Sequence, residues 1–314
     1  MAAIVSNPLV SVNIPCYRQL PLVRLALDSV RAQTYAALEI TLLDDGASDE
    51  YRQYVDSLGD PRVRYHRNVQ RLGAMQNMFA AVAFGSGEFT MAFHEDDLLS
   101  TTYIADAVSI LEKSPSCGFV ACQLHEFTSE PSREDLSRAY RPIAVKTFAT
   151  RADLVRGIVG GVEPMFGSVV YRRKSLKEVS ADHESYATLV DRPFLLSILG
   201  RGWTAAVIQS PLVWYRHHGD GDTRHLAMSA DHILRLLRTY REALPRDWSR
   251  EERDAFFKYS GYWLFELYRL TPPAQRPPVW RYLLRAWRSG VYNPRARGNF
   301  GLRQLSRAAM NRTS

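Results

Sequence analysis

Residues 94–97 read His-Glu-Asp-Asp and follow the apolar run Phe89-Thr90-Met91-Ala92-Phe93, so adjacent carboxylates stand where a buried strand reaches a sheet edge. Like charges side by side repel unless a cation or a ring of donors compensates them, and a hard divalent ion with oxygen ligands does so. The same tetrapeptide also suits a turn after a strand, with Ser100 placed to cap a helix. Other polar groups fall at comparable places: Pro15-Cys16-Tyr17-Arg18 after a first apolar run, Asp44-Asp45-Gly46-Ala47-Ser48-Asp49 after a second, Asn68 to Arg71 after a third. Asp45 can accept hydrogen bonds from a base or ribose, Tyr17 offers a ring for stacking, and Arg71 offers a planar cation for a phosphate. Each alone also has an ordinary role: Asp-Gly as a turn, Tyr17 as a core residue with a wet hydroxyl, Arg71 on a solvated face. Jointly they describe a nucleotide cradle beside a cation site.

The elements that must position these groups are legible up to about residue 125. Leu9 to Ile14 alternates weakly as a strand, and Pro21 opens a helix in which Leu22, Ala26, Leu27 and Val30 recur at helical spacing. Further strands are predicted at Leu38–Leu43, Val63–His66, Phe89–Phe93 and Gly118–Cys122, with helices around Tyr51–Leu58, Ala74–Phe84 and Tyr103–Glu112. Strands alternating with helices of this length predict an α/β fold with a mainly parallel, doubly wound sheet, whose ligands bind beyond the carboxyl ends of the strands. The polar residues above sit at those ends. Residues 126–160 carry no readable motif. Leu226–Ala243 and Glu251–Leu270 read as long amphipathic helices, followed by a stiff Pro-rich break at Thr271–Pro278. In the segment after it, Trp280, Leu284, Trp287 and Val291 fall on one helical face and Arg281, Arg285 and Arg288 towards the other. That pattern suits an anionic membrane surface, and equally a helix packed on the catalytic domain or a second subunit.

Length and composition bound the rest. The 314 residues exceed the usual single-domain size, and 46% hydrophobic with 23% charged residues describes an ordinary globular chain. Three cysteines, Cys16, Cys117 and Cys122, are too few and too irregular for a disulfide framework or zinc cluster. The start of the chain lacks the pattern of a signal peptide, and no 18-residue apolar stretch could span a bilayer, so a cytoplasmic protein is expected. A net charge of +7 points to anionic partners. Nucleic acid ranks last among them, because the aspartates would repel a phosphate backbone.

The residues Val12-Asn13-Ile14-Pro15-Cys16-Tyr17, Leu27-Asp28-Ser29-Val30-Arg31-Ala32-Gln33-Thr34-Tyr35 and Glu39-Ile40 leading into Asp44 to Asp49 resemble family 2 glycosyltransferases of the GT-A fold. The resemblance continues through Asn68, Arg71-Leu72-Gly73, Asn77, Gly87-Glu88-Phe89 and His94 to Asp97. Further on it thins. Phe166 to Arg173 resembles the strand-and-arginine segment before the family's catalytic helix. Asp191, with Gly202 eleven residues on, resembles that helix, and Pro211 to His218 the Tyr-Arg-x-His element.

What the resemblance implies is a GT-A domain over residues 1–220, Rossmann-like with a mainly parallel sheet flanked by helices, and a helical C-terminal extension over 221–314. It implies inverting transfer of a sugar from a nucleoside diphosphate, uridine ahead of thymidine, to an acceptor hydroxyl, less often a thiol or amine. Pro15, Tyr17, Asp45, Arg71 and Asp96 would hold the nucleotide; Asp97, Asp96 and His218 would hold Mn2+ or Mg2+; Asp191 would be the catalytic base. The acceptor, whether glycan, lipid-linked sugar, natural product or protein, is not named by these motifs. Peripheral contact with the inner face of a membrane and a homodimer through the C-terminal helices are the further expectations. Two departures stand out. His94 occupies the first position of the aspartate cluster, and Val190 stands where the family usually has Glu, which keeps a non-catalytic nucleotide-binding or partner-binding protein as the alternative. A sugar nucleotidylyltransferase is disfavoured, since Pro15-Cys16-Tyr17-Arg18 is not the glycine-rich phosphate loop such an enzyme needs after its first strand.

Overall fold

A computed structural model describes residues 7–17, 19–46, 48–162, 164–180, 182–217, 230–270 and 278–293. The chain falls into two compact units, Met1–Ala149 with Glu163–Ser180 and Ser197–Asp222, and Thr150–Val162 with Ala181–Leu196 and Thr223–Ser314.

Among the described residues, the first unit is built on one nine-stranded sheet. Its parallel part is β1 (Val10–Cys16), β2 (Leu38–Asp44), β3 (Val63–Arg67) and β4 (Phe89–Ala92), with β1 between β2 and β4 and β3 outside β2. Every residue of β1, β2 and β4 is buried, as expected of parallel strands covered on both faces. The register pairs Val10 with Leu38 and with Phe89, and Ile40 with Val63, so the carboxyl ends of the four strands lie on one edge. The remainder is mixed: β5 (Leu98–Leu99), β6 (Cys117–Phe127), β7 (Val145–Phe148), β8 (Val170–Arg172) and β9 (Thr204–Arg216). The short β8 runs antiparallel between β4 and β6, while β9 lies parallel to β6 and takes β5 and β7 as antiparallel partners.

Helices α1 (Leu20–Arg31), α2 (Glu50–Leu58), α3 (Ala74–Ala83), α4 (Tyr103–Lys113) and the short α5 (Arg133–Ser137) complete this unit. Pro21 sits in the first turn of α1, where its missing N–H costs nothing, and the helix buries Val23, Ala26, Leu27 and Val30 at helical spacing. Those side chains join β1, β2 and α4 in a single apolar core.

The second unit is helical. It contains α6 (Arg151–Val159), α7 (His183–Tyr186), the first turns of α8 (Asp191–Leu199), α9 (Ala230–Ala243), α10 (Arg250–Leu270) and α11 (Val279–Arg288). A reciprocal Thr150–Asp153 capping box starts α6, whose Arg156 pairs with Glu252 of α10 at 2.6 Å. Buried Ile233, Leu234, Leu236, Leu237 and Tyr240 mark the inner face of α9, and Phe256 and Leu264 that of α10. In α11 the buried side chains are Tyr282 and Ala286, and the Tyr282 hydroxyl donates to the carbonyl of Leu264 at 3.1 Å. Val291 lies beyond the end of α11 and is buried, whereas Trp280 and Trp287 are exposed, so the four residues expected on one face are divided. Residues 226–229 and the Pro-rich break at 271–277 lie outside the described residues. Among the described residues, no helix is long and apolar enough to cross a membrane.

Candidate active site

The carboxyl edge of the parallel strands collects the polar side chains. At the end of β2, buried Asp44 accepts from the Gly46 N–H at 2.8 Å and the Tyr65 hydroxyl at 2.7 Å, with the Arg67 guanidinium 3.5 Å away. Asp45 is also buried. One of its oxygens accepts from the Leu72 N–H at 2.7 Å and the Asn68 amide at 2.9 Å, the other from the Gly73 N–H at 2.7 Å. Three donors fill most of the roughly four acceptor positions of a carboxylate, so Asp45 draws the 68–73 loop onto the end of β2. Gly73 has φ of +82°, a conformation that side-chain-bearing residues rarely adopt, as it turns its N–H to Asp45 and leads into α3. Asn68 bonds in turn to Asn77, whose amide reaches the Leu43 carbonyl at 3.1 Å.

This loop carries Arg71, exposed, with its guanidinium 4.4 Å from the centre of the Tyr17 ring. A cation over an aromatic face at that range is a favourable contact that also holds both planes in place. The Tyr17 N–H donates to Glu95 at 2.9 Å, tying the loop after β1 to the one after β4. Tyr17, Asp45 and Arg71 are therefore brought together. Pro15 lies within β1, buried and paired with Leu43, and Arg18 and Ala47 lie outside the described residues.

His94, Asp96 and Asp97 form the second group. Each offers one ligand atom, and these atoms lie within 4.8 Å of one another. Asp97 is fully buried; its oxygens meet His94 Nδ1 at 2.9 Å and the Arg216 N–H, also at 2.9 Å. Burial pushes the Asp97 carboxyl above its ordinary range, the His94 and Arg216 hydrogen bonds pull the other way, and the neighbouring Asp96 adds to the rise. Asp96 and His94 are half-buried. A Cβ on Gly167 would stand 3.0 Å from three atoms of the His94 ring, so the absence of a side chain there fixes how closely that ring can sit. Two carboxylates and an imidazole suit a divalent cation that accepts oxygen and nitrogen ligands. A histidine donating one ring N–H to a carboxylate keeps its other nitrogen as a ligand. His218, the third expected ligand, lies outside the described residues.

Arg216 is the residue of this group whose role the sequence does not announce. Besides its N–H to Asp97, its Nε donates to the Asp96 carbonyl at 2.7 Å, its guanidinium pairs with Glu130, and it lies 4.6 Å over the Phe127 ring. The end of β9 thus holds both aspartates of the loop. Support of this kind around a metal site is worth about 10–100-fold in metal affinity. If this group holds a divalent cation, Arg216→Ala is accordingly expected to weaken its binding at least tenfold, read with Mn2+ as the probe by electron paramagnetic resonance. Unchanged affinity would show that the loop keeps its form without the arginine.

In the second unit, Asp191 opens α8 half-buried, and its carboxylate accepts from the following Arg192 N–H at 2.7 Å. Arg192 donates to the Tyr259 hydroxyl at 2.8 Å and lies 5.5 Å over the Trp263 ring. Buried Tyr240 has both Asp191 and Arg192 among the groups acting on its hydroxyl, which burial above all pushes up. Val190, directly before Asp191, is buried.

The model of the family described as "Glycosyl transferase family 2" matches residues 11–180, more than half of the chain. The chain belongs to this family. Among curated relatives, a putative colanic acid biosynthesis glycosyl transferase, WcaA of Escherichia coli K12, is 32% identical over 94 residues, 29% of this chain and 34% of its own length. The E. coli UDP-Glc:alpha-D-GlcNAc-diphosphoundecaprenol beta-1,3-glucosyltransferase WfgD is 29% identical over 106 residues, 34% of this chain and 42% of its own. The chain spans about a third of the length of the first relatives it matches. Among solved structures, Staphylococcus aureus TarS 1-349 in complex with UDP-GlcNAc superposes with a TM-score of 0.57 at 13% identity, covering 96% of this chain and 92% of that one. The mannosyltransferase PcManGT of Pyrobaculum calidifontis, in complex with GDP-Man and Mn2+, gives 0.53 at 18% identity over 98% and 81%. These likenesses carry the GT-A fold, a mixed α/β sheet with flanking helices and a helical C-terminal part.

Proposed function

We propose that the chain transfers a sugar from a nucleoside diphosphate, uridine favoured over thymidine, to an acceptor hydroxyl with inversion at the anomeric carbon. The observation that carries this reading is the loop 68–73 drawn onto Asp45, which sets Arg71 over Tyr17 on the same sheet edge as His94, Asp96 and Asp97. The UDP and UDP-GlcNAc complexes of TarS and the donor in the name of WfgD support a uridine nucleotide, and the Mn2+ of PcManGT supports a divalent cation.

In this reading Tyr17 stacks on the nucleoside and Arg71 meets the diphosphate, while Asp45 shapes the loop and keeps one acceptor position for the base or ribose. Asp96, Asp97, His94 and His218 would hold Mn2+ or Mg2+. A cation bound there supplies positive charge against the negative charge that develops on the leaving diphosphate. Asp191 takes the proton of the acceptor hydroxyl as it attacks the face opposite the leaving group. Buried Val190 in place of the family's usual Glu supports one other reading, a member that binds nucleotide without turnover; release of nucleoside diphosphate from a sugar nucleotide separates the two.

A thermal-shift series with UDP, dTDP, GDP and CDP, each with and without manganese, tests the donor. A ligand present at a hundred times its Kd adds about 2.7 kcal/mol to the folded state. UDP with manganese is expected to give the largest shift. Four nucleotides that all leave the transition unmoved would sink the nucleotide reading, and a larger shift with GDP would replace the base.

A further inference from the structure

The net positive charge of this chain comes from one segment. Residues 271–314 hold nine arginines and no lysine, aspartate or glutamate, which leaves 31 basic against 33 acidic residues in the preceding 270. The charge of +7 is therefore a property of this segment and not of the sheet unit. Charge asymmetry of this kind marks a surface for an anionic partner.

Helix α11 is the described part of that segment. Its Tyr282 and Ala286 are buried, and on the opposite side Trp280 is 62% and Trp287 56% exposed. The two indoles are seven positions apart, about two helical turns, so they project from one face, with half-buried Leu284 between them. Arg281, Arg285 and Arg288, all exposed, line the flank of that face. Arg281 lies 5.2 Å over the Trp280 ring, and Arg285 pairs with Asp231 of α9. Two exposed tryptophans bordered by arginines on a helix without one acidic residue match the composition of interfacial helices. In those, indole rings settle at headgroup depth and guanidinium groups meet lipid phosphates.

We infer that the exposed face of α11 seats the protein on an anionic phospholipid surface. Charge decides among the occupants. A two-fold contact between copies through this face would set the arginines of one protomer against those of the other with no acidic partner on α11, and like charges disfavour it. A nucleic acid would satisfy the arginines but gives no reason for two indoles to project from one face at two-turn spacing. An anionic membrane uses both. Each basic residue near such a surface favours binding by roughly fivefold, attenuated by salt.

The test uses the full chain and vesicles of equal parts phosphatidylglycerol and phosphatidylcholine, compared with phosphatidylcholine alone, by co-sedimentation at low and moderate salt. The expected result is pelleting with the anionic vesicles only, weakened by salt. W280S/W287S should reduce the partition coefficient by on the order of tenfold or more, and R281Q/R288Q by a comparable factor. All four positions are exposed, and an unaltered melting transition shows that the variants fold. Two results would overturn the inference: no pelleting of the wild type, or pelleting of W280S/W287S equal to wild type; in the first case a single-stranded oligonucleotide complex or a dimer that W280S/W287S abolishes would name the occupant of this face instead. None of these readouts depends on transfer activity, so the inference stands or falls apart from the proposed reaction.

Discussion

Asp191→Asn is expected to leave nucleotide-sugar affinity near wild type and to lower transfer by about a hundredfold or more, the range for loss of a general base. The substitution is conservative where Asp191 sits. The Arg192 N–H that donates to its carboxylate at 2.7 Å can donate equally to an amide oxygen, and Arg192 stays anchored by Tyr259 and Trp263. What the amide lacks is the capacity to take a proton. Binding measured by calorimetry with the intact donor, and kcat measured at saturating acceptor, should therefore separate. The residue directly before Asp191, buried Val190, offers no carboxylate to share the task. Transfer that stays within a few-fold of wild type would move the base elsewhere and leave Asp191 as the opening residue of a helix.

The parallel part of the sheet was legible because local pattern and tertiary role coincide there. β1, β2 and β4 are short apolar runs buried on both faces, each followed at once by the polar residues of one edge, and the strand-helix alternation is what a doubly wound sheet requires. The antiparallel additions were not legible for the opposite reason. β5, β7 and β8 are two to four residues long, and each exists as a strand through partners far away in sequence, as in the pairing of Val145 with Ile208 or Thr90 with Tyr171; of the three, β8 alone was expected, through the family resemblance of Phe166 to Arg173 and not through local pattern. The stretch 126–160, where no motif could be read, holds one of these strands and the capped helix α6. The site divides along the same line. Tyr17, Asp45, Arg71, Asp96 and Asp97 announce themselves by residue type at strand ends. The service of Asp45 to the 68–73 loop, and of Arg216 to a loop 119 residues earlier, follows from backbone donors that no side-chain pattern encodes. Gly167 has its effect through the space it leaves beside His94, again invisible without the fold.

Asp96→Asn and Asp97→Asn should both abolish the manganese-dependent part of the stabilisation by nucleotide, and with it turnover, but they should differ in the absence of any ligand. The common loss follows from removing one ligand charge from a hard-ion site. The difference follows from burial. Asp97 is enclosed, and both of its oxygens are engaged, one with His94 Nδ1 and one with the Arg216 N–H. An asparagine there presents an NH2 to one of those partners. The Arg216 N–H can only donate, so the amide oxygen turns to it and the NH2 to His94, which must then offer an acceptor nitrogen and give up the N–H it directs at Asp97. A buried hydrogen-bonding arrangement disturbed in this way costs about 1–3 kcal/mol. Asp96 is only half-buried, so an amide there is less enclosed than one at position 97, and its backbone carbonyl stays held by Arg216. Ligand-free Asp97→Asn should therefore melt measurably below both wild type and Asp96→Asn, and neither variant should gain from manganese. An Asp97→Asn protein that keeps the manganese-dependent shift would leave Asp97 as a support of the loop and give the cation to Asp96 and the histidines.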